Sequence, residues 1–184
     1  MKTTCMLLAA LWCQPVLVSA DSAVAEPSEY RMDDYDAPVP DALTGAGWVG
    51  AVEVQRLMVE ENAVVVDVIP EHRKPEALPE NQIWIPVPHE GVPGALWLPD
   101  TGFGPLSETT ERYFRMHLEE ATEGDLDRPV AFYCRADCWM SWNAAKRALS
   151  YGYKNVYWFA EGVDDWFFEG FDFAHLTPAM GQRQ

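Results

Sequence analysis

Short apolar runs alternate along the chain with longer segments in which apolar residues recur at helical spacing. The unbroken runs are typical of strands buried on both faces of a parallel sheet. They predict strands at residues 63–68, 129–134 and 155–159, with a further proline-limited strand at 81–88. Helical spacing predicts helices over residues 49–60, 109–121 and 141–150. The alternation predicts an α/β fold: a doubly wound parallel sheet with helices on both faces and right-handed crossovers.

The length of 184 residues is that of a single domain with one buried core. An apolar content of 48% with eight tryptophans favours a globular body over a disordered chain. The helical patterns predict which side chains face the core: Val52, Leu57 and Val59 on the first helix, and Tyr113, Phe114 and Leu118 on the second.

The beginning of the chain has the pattern of an export signal. Lys2 supplies a positive charge, residues 5–13 form a short apolar run, and Val18-Ser19-Ala20 places small residues where a signal peptidase cleaves. Residues 1–20 are therefore predicted to be removed, with a second possible cleavage after Ala25. The apolar run is too short to span a membrane, so we predict a periplasmic protein without a membrane anchor.

The rest of the chain divides into three parts. Residues 21–43 are acidic and rich in proline, which predicts an extended arm that Tyr30 and Tyr35 fasten to the domain. Residues 44–173 are predicted to form the domain, and residues 174–184 a C-terminal tail. The formal net charge of −16 disfavours nucleic acid and anionic membrane surfaces as partners, because phosphate groups would be repelled.

Two cysteines remain once the signal is removed, and they carry the candidate chemistry. Cys134 ends a predicted strand and lies one short loop before a helix, a position where turn amides and the positive helix end stabilise an anion. This setting predicts a lowered pKa for the Cys134 thiol and a nucleophilic role. Alternatively, Cys134 and Cys138 form an inert disulfide. The histidines lack metal-ligand spacing, and a soft metal on Cys134 and Cys138 would need a third ligand that the sequence does not identify, so we predict no metal. We also predict no cofactor.

Residues 132–170 resemble the C-terminal half of a rhodanese domain. The resemblance rests on the strand, the cysteine loop, a helix with Ala144-Ala145, and the matching residues Gly152, Tyr153, Asn155, Val156, Tyr157, Gly162 and Trp166. Upstream, residues 66–68 resemble the leading strand of that family, and residues 92–95 resemble its His-Ile-Pro-Gly-Ala segment.

The rhodanese resemblance implies that Cys134 carries sulfur as a persulfide. The loop residues Arg135, Ala136, Asp137 and Trp139 would then contact the substrate. The usual loop is Cys-x-x-Gly-x-Arg, so Asp137 replaces the glycine and Trp139 the arginine, and both changes disfavour an anionic donor such as thiosulfate. Arg135 either substitutes for the missing arginine or is a solvated loop residue. Cys138 lies within the loop and is positioned to resolve an adduct on Cys134.

The export signal, the Tyr-Arg-x-Asp-Asp-Tyr arm and Cys138-Trp139 resemble a narrower group, the rhodanese-like proteins of PQQ-dependent alcohol catabolism named for a CXXCW motif. Here three residues rather than two separate the cysteines. The resemblance implies an exported PQQ-dependent dehydrogenase, or its electron acceptor, as partner, together with a small sulfur or thiol donor. Two functions remain open: sulfur transfer or thiol–disulfide chemistry, and a binding module in which the Cys134–Cys138 disulfide is structural.

Overall fold

The computed structural model describes residues 24–181. The predicted export signal lies outside these residues. Within them, no helix has both the length and the apolar character needed to cross a membrane.

Seven strands and four helices make up the described part of the chain. The strands are β1 (Gly47–Trp48), β2 (Val64–Asp67), β3 (His89–Gly91), β4 (Leu96–Trp97), β5 (Val130–Tyr133), β6 (Val156–Phe159) and β7 (Ala174–Leu176). The helices are α1 (Ala51–Glu60), α2 (Glu108–Thr122), α3 (Trp139–Ser150) and α4 (Gly162–Phe168). Five strands form a parallel sheet in the order β1-β6-β5-β2-β4, whereas β3 and β7 pair antiparallel in a small second sheet.

The central strands β2, β5 and β6 are buried on both faces, as their unbroken apolar runs predict. One face packs against α2 and α3, where Val66, Phe132 and Trp158 share a core with Phe114. The opposite face, which includes Tyr133, packs against α1 and α4. The predicted α/β fold, with a central parallel sheet and helices on both faces, is therefore confirmed.

The strand predicted at residues 81–88 is wrong. This segment forms no strand, and Ile83, Ile85 and Val87 are exposed. Pro86 and Pro88 carry no amide hydrogen and cannot complete a ladder of hydrogen bonds. The position beside β2 is taken instead by β4, which follows this segment in sequence.

The predicted buried face of α1 is also partly wrong. Val52 is 58% exposed and Val59 is 80% exposed, whereas Ala51, Val54 and Leu57 are buried. The buried residues recur every three positions and therefore share one side of a helix with 3.6 residues per turn. Five positions separate Val52 from Leu57, which places them on different sides. The predicted inward residues of α2, in contrast, are all buried.

Candidate functional site

The cysteine loop, residues 134–139, begins at the carboxyl end of β5 in the middle of the sheet. Cys134 directly follows β5, and Cys138 is the N-cap residue of α3, which begins at Trp139, two residues before the predicted start. The amide of Val163, at the start of α4, donates a 3.1 Å hydrogen bond to the Cys134 carbonyl. A Cβ atom on the preceding Gly162 would lie only 2.1 Å from that oxygen, so only glycine fits beside the loop.

The two sulfur atoms of the loop are in direct contact. The Sγ atoms of Cys134 and Cys138 are 2.6 Å apart, and both cysteines are free thiols with no solvent exposure. Asp137 has a φ of 50°, a left-handed conformation that turns the chain back towards Cys134. Glycine adopts this conformation freely and aspartate tolerates it, so Asp137 fills the place of the glycine in the rhodanese loop.

The environment of the loop shifts the pKa values of the two thiols in opposite directions. The pKa of Cys138 is lowered, first by its hydrogen bond with Cys134, and further by the amides of Met140 and Arg135 and the charge of Arg135. The pKa of Cys134 is raised, first by the same hydrogen bond with Cys138, and further by burial and by the charge of Cys138. The predicted lowering of the Cys134 pKa is therefore wrong: the donors near the helix end act mainly on the second cysteine.

Other amides of the loop already have partners within the protein. The amide of Ala136 donates to the Asp164 carboxylate at 2.8 Å, and the amide of Trp139 donates to the carbonyl of Tyr35 at 2.9 Å. An anionic sulfur donor such as thiosulfate would need free amides of this kind to form hydrogen bonds with its oxygen atoms. The Asp164 carboxylate also adds negative charge beside the loop, so the closed site disfavours anions.

Residues 35–38 of the arm lie across the cysteine loop and cover it. Asp36 forms an antiparallel bridge with Cys138, and the amide of Ala37 donates to the Asp137 carbonyl at 3.0 Å. The guanidinium of Arg135 also donates to the carboxylate of Asp36. Reagents in solution can therefore reach the sulfur atoms only after the arm moves.

Tyr35 and Arg31 fasten the arm to the domain. The Tyr35 ring packs edge-on against Phe103, and its hydroxyl accepts a 3.1 Å hydrogen bond from the amide of Gly104. The backbone of Arg31 exchanges two hydrogen bonds, each 2.9 Å long, with the side chain of Asn143 on α3. Tyr30, the other tyrosine predicted to fasten the arm, has its ring 4.5 Å from the guanidinium of the buried Arg147.

The predicted substrate-contacting residues separate into two groups. Arg135 and Asp137 are exposed at the surface of the loop, with Ala136 half-buried between them. Trp139 is buried, packs edge-on against Trp142 and donates from Nε1 to the carbonyl of Pro38. Trp139 therefore joins the arm to α3 and does not replace the missing arginine in any polar role.

A buried polar cluster around Asp67 was not predicted. The Asp67 carboxylate, fully buried at the end of β2, accepts hydrogen bonds from the Tyr133 hydroxyl at 2.7 Å and the Ile69 amide at 2.8 Å. His89 Nε2 lies 2.8 Å from the same carboxylate. The charge of Asp67 contributes to the raised pKa of both Tyr133 and Cys134. The sequence contained one feature that could have predicted this cluster: Asp67 is an acidic residue inside an otherwise apolar run, and a buried carboxylate needs hydrogen-bonding partners.

No three residues of the types His, Cys, Asp and Glu come together as a possible metal site between residues 24 and 181.

Comparison with known proteins identifies a domain that contains this loop. The model of the rhodanese-like domain family matches residues 51–169. No curated protein matches the chain.

The comparison with solved structures finds matches of low sequence identity. Thiosulfate sulfurtransferase from Pseudomonas aeruginosa is 18% identical with a TM-score of 0.49, and the match covers 74% of this chain and 22% of that chain. The polysulfide-sulfur transferase homodimer from Wolinella succinogenes is 18% identical with a TM-score of 0.45, covering 73% and 82%. A rhodanese-like domain from Anabaena sp. is 15% identical with a TM-score of 0.42, covering 76% and 89%.

Proposed function

The chain belongs to the rhodanese-like domain family, and from this premise we propose that Cys134 and Cys138 act as a dithiol–disulfide pair in thiol–disulfide exchange and sulfur transfer. The observation that carries the proposal is the contact between the two sulfur atoms. Disulfide-bonded sulfur atoms lie about 2.05 Å apart, so the pair is close enough to form the bond with a small movement.

Cys138 is the attacking sulfur in this proposal, because its pKa is the lowered one and the thiolate is the nucleophile. Its thiolate attacks one sulfur of a substrate disulfide, forms a mixed disulfide and releases the other substrate sulfur as a thiolate. Cys134 then loses its proton to solvent and attacks Cys138. This second step releases the remaining substrate thiolate and closes the Cys134–Cys138 bond.

Two electrons pass from the cysteine pair to the substrate in this sequence. With a persulfide as donor, Cys138 takes the terminal sulfur and the donor leaves as a thiolate. Attack by Cys134 then releases the transferred sulfur as hydrosulfide. A partner dithiol restores both cysteines by the reverse exchange. The rhodanese resemblance implies the opposite order, with Cys134 attacking first.

The wider role that we propose is that of an exported accessory protein of PQQ-dependent alcohol oxidation. The resemblance of the Tyr30–Tyr35 arm and of Cys138-Trp139 to the CXXCW group supports this role, and the pattern of residues 1–20 supports export to the periplasm. The partner would be an exported PQQ-dependent dehydrogenase or its electron acceptor. Mass spectrometry of protein from the native host tests export: an N-terminus at Asp21 or Glu26 supports it, and a retained Met1 contradicts it.

A second candidate function is a binding module with a structural Cys134–Cys138 disulfide. The full burial of both sulfur atoms favours this alternative, because exchange with a substrate requires the arm to open. In this case the disulfide would resist mild reductants and no substrate adduct would form on either cysteine.

Trapping the intermediate distinguishes the two functions. The reduced Cys134→Ser variant is mixed with a disulfide or persulfide donor, and the adduct is located by intact-mass and peptide analysis. The proposal predicts a stable adduct on Cys138, because the resolving thiol is missing, whereas the Cys138→Ser variant reacts more slowly. Faster labelling of Cys138→Ser would restore the order implied by the family. If neither variant forms an adduct, the exchange function is contradicted and the binding module is the function that remains.

A further inference from the structure

The contacts of the arm with the cysteine loop are mostly contacts between backbones. The Trp139 amide donates to the Tyr35 carbonyl on one side of Cys138, and on the other side the Ala37 amide donates to the Asp137 carbonyl. Asp36 is the arm residue opposite Cys138. In this antiparallel pattern the two opposed residues form a non-hydrogen-bonded pair, the closer of the two kinds, with Cα atoms about 4.5 Å apart.

We infer that the substrate is an extended segment of a polypeptide, which replaces arm residues 35–38 on the loop and brings a cysteine sulfur to Cys138. This inference rests on the proposed thiol–disulfide function. The arm then acts as an internal stand-in for the substrate, and the residue in the position of Asp36 is the one that reacts.

Backbone pairing makes such a replacement possible. The hydrogen bonds to Trp139 and Asp137 use main-chain groups that every extended peptide except a misplaced proline can supply. Small oxyanions lack these groups, and the amide of Ala136 remains engaged by the Asp164 carboxylate even when the arm has left. The arrangement around Cys138 therefore matches a peptide better than a small anion.

The arm is anchored on both sides of the replaceable residues. Before them, Arg31 is held by Asn143, and after them, Leu43 is buried in the core with 4% exposure. In this proposal residues 35–38 leave the loop while the two anchors remain in place, and the contacts of Tyr35 with Phe103 and Gly104 are broken. Departure of Asp36 also frees the guanidinium of Arg135, whose charge already favours the thiolate of Cys138. The freed cation is then available to stabilise the thiolate that leaves the substrate.

A peptide made from the arm itself tests this substrate class. The probe has the sequence of residues 32–39 with the change Asp36→Cys, activated as a mixed disulfide with thionitrobenzoate. The matched control peptide carries an additional Ala37→Pro change, which removes the amide that donates to Asp137. Glutathione activated in the same way serves as the small substrate, and release of thionitrobenzoate from the reduced full-length protein gives each rate.

We expect the arm peptide to react at least about tenfold faster than activated glutathione, and the proline control to lose most of this advantage. Equal rates for all three probes would overturn the polypeptide inference while leaving the proposed exchange function intact. If none of the probes reacts, the proposed function itself fails.

The geometry has a separate test inside the protein. In a Cys134→Ser background treated with oxidised glutathione as the oxidant, the change Asp36→Cys should form a disulfide with Cys138, measured as the loss of two hydrogen masses and by peptide mapping. The matched control is Asp33→Cys, because Asp33 is an exposed arm residue with a side chain that is 84% accessible. Equal bond formation in both variants, or none in either, would contradict the pairing of Asp36 with Cys138.

Discussion

The amide of Trp139 donates a hydrogen bond of 2.9 Å to the carbonyl oxygen of Tyr35, which precedes it by more than half of the described chain. This bond joins the first residue of α3 to the arm, directly beside Cys138. The arm thereby closes the loop that carries both thiols. Access to the sulfur atoms is therefore controlled by a segment outside the matched family domain, residues 51–169.

We predict that Tyr35→Ala opens the site. The change removes the ring contact with Phe103 and the hydrogen bond from the Gly104 amide, which together stabilise the closed arm. Thiol labelling of the reduced protein should accelerate about tenfold or more, since loss of about 1.4 kcal/mol raises an open population tenfold. Hydrogen exchange at the Trp139 amide should accelerate in parallel. Asp33→Ala is the control, and an unchanged labelling rate for Tyr35→Ala would show that the arm does not limit access.

Cys138 should be the thiol that reacts at lower pH. Its pKa is lowered, so its thiolate persists as the pH falls, whereas the raised pKa of Cys134 keeps that thiol protonated. Brief alkylation of the reduced Tyr35→Ala variant across a pH series, followed by peptide mapping, measures both sites in one sample. We expect label on Cys138 to exceed label on Cys134 throughout the neutral range. The reverse ratio would assign the nucleophile to Cys134.

The same pKa shifts give opposite contributions to stability. The Cys138 contribution is present above the unfolded pKa of its thiol and is lost as the pH falls through the folded value. The Cys134 contribution is present below the unfolded pKa and is lost as the pH rises through the folded value. Denaturant titrations across a pH series measure both contributions to the free energy of unfolding. Cys138→Ser should remove the loss of stability on the acid side, and Cys134→Ser should remove the loss of stability on the alkaline side.

Thiosulfate should be a poor sulfur donor for the wild-type protein. The Cys138→Ala variant should accept sulfur from thiosulfate more readily. The change leaves the amides of Arg135 and Met140 without the Cys138 sulfur, and it removes the largest cause of the raised Cys134 pKa. We expect persulfide loading of Cys134 to rise about tenfold, since a hydrogen bond to a charged group contributes about 1.5–3 kcal/mol. Intact mass after incubation with thiosulfate measures the gain of one sulfur atom. Loading equal to that of wild type would mean that Cys138 does not block the donor.

Restoring the rhodanese loop sequence should have opposite effects at its two altered positions. Trp139→Arg places a charge where the side chain is 2% exposed, and we expect a loss of about 3 kcal/mol or more in unfolding free energy. Asp137→Gly relieves a left-handed conformation and should be neutral or stabilising by up to about 1 kcal/mol. Denaturant unfolding of each single variant provides the comparison. A stable Trp139→Arg protein would contradict the packing role of Trp139.

Asp67→Ala should destabilise the fold strongly. It leaves the Tyr133 hydroxyl and His89 without their buried acceptor, a change that costs about 3 kcal/mol or more in comparable sites. Asp127→Ala is the control, because Asp127 is an exposed partner of Lys154, and such pairs contribute at most about 1 kcal/mol. Chemical denaturation of both variants gives the difference. Equal losses would mean that the buried cluster does not stabilise the fold.

The sequence by itself determined the sheet and the position of the first cysteine. Residues 63–68, 129–134 and 155–159 contain β2, β5 and β6, because strands covered on both faces need apolar side chains at every position. Cys134 consequently follows β5 at the carboxyl edge of the sheet, where loops meet helix N-termini. Local periodicity carries this information within a few residues, and the rhodanese resemblance strengthened it.

Only the tertiary structure decided the opposite pKa shifts of the two cysteines and what covers them. The contact of Asp36 with Arg135 and that of Arg31 with Asn143 join residues 99 and 112 positions apart, and no local pattern encodes such pairs. The same holds for Asp67, whose burial was visible in its apolar run but whose partners Tyr133 and His89 were not. Chain folding brings distant donors and charges around one thiol, and the pKa of that thiol depends on those neighbours more than on its place in the sequence.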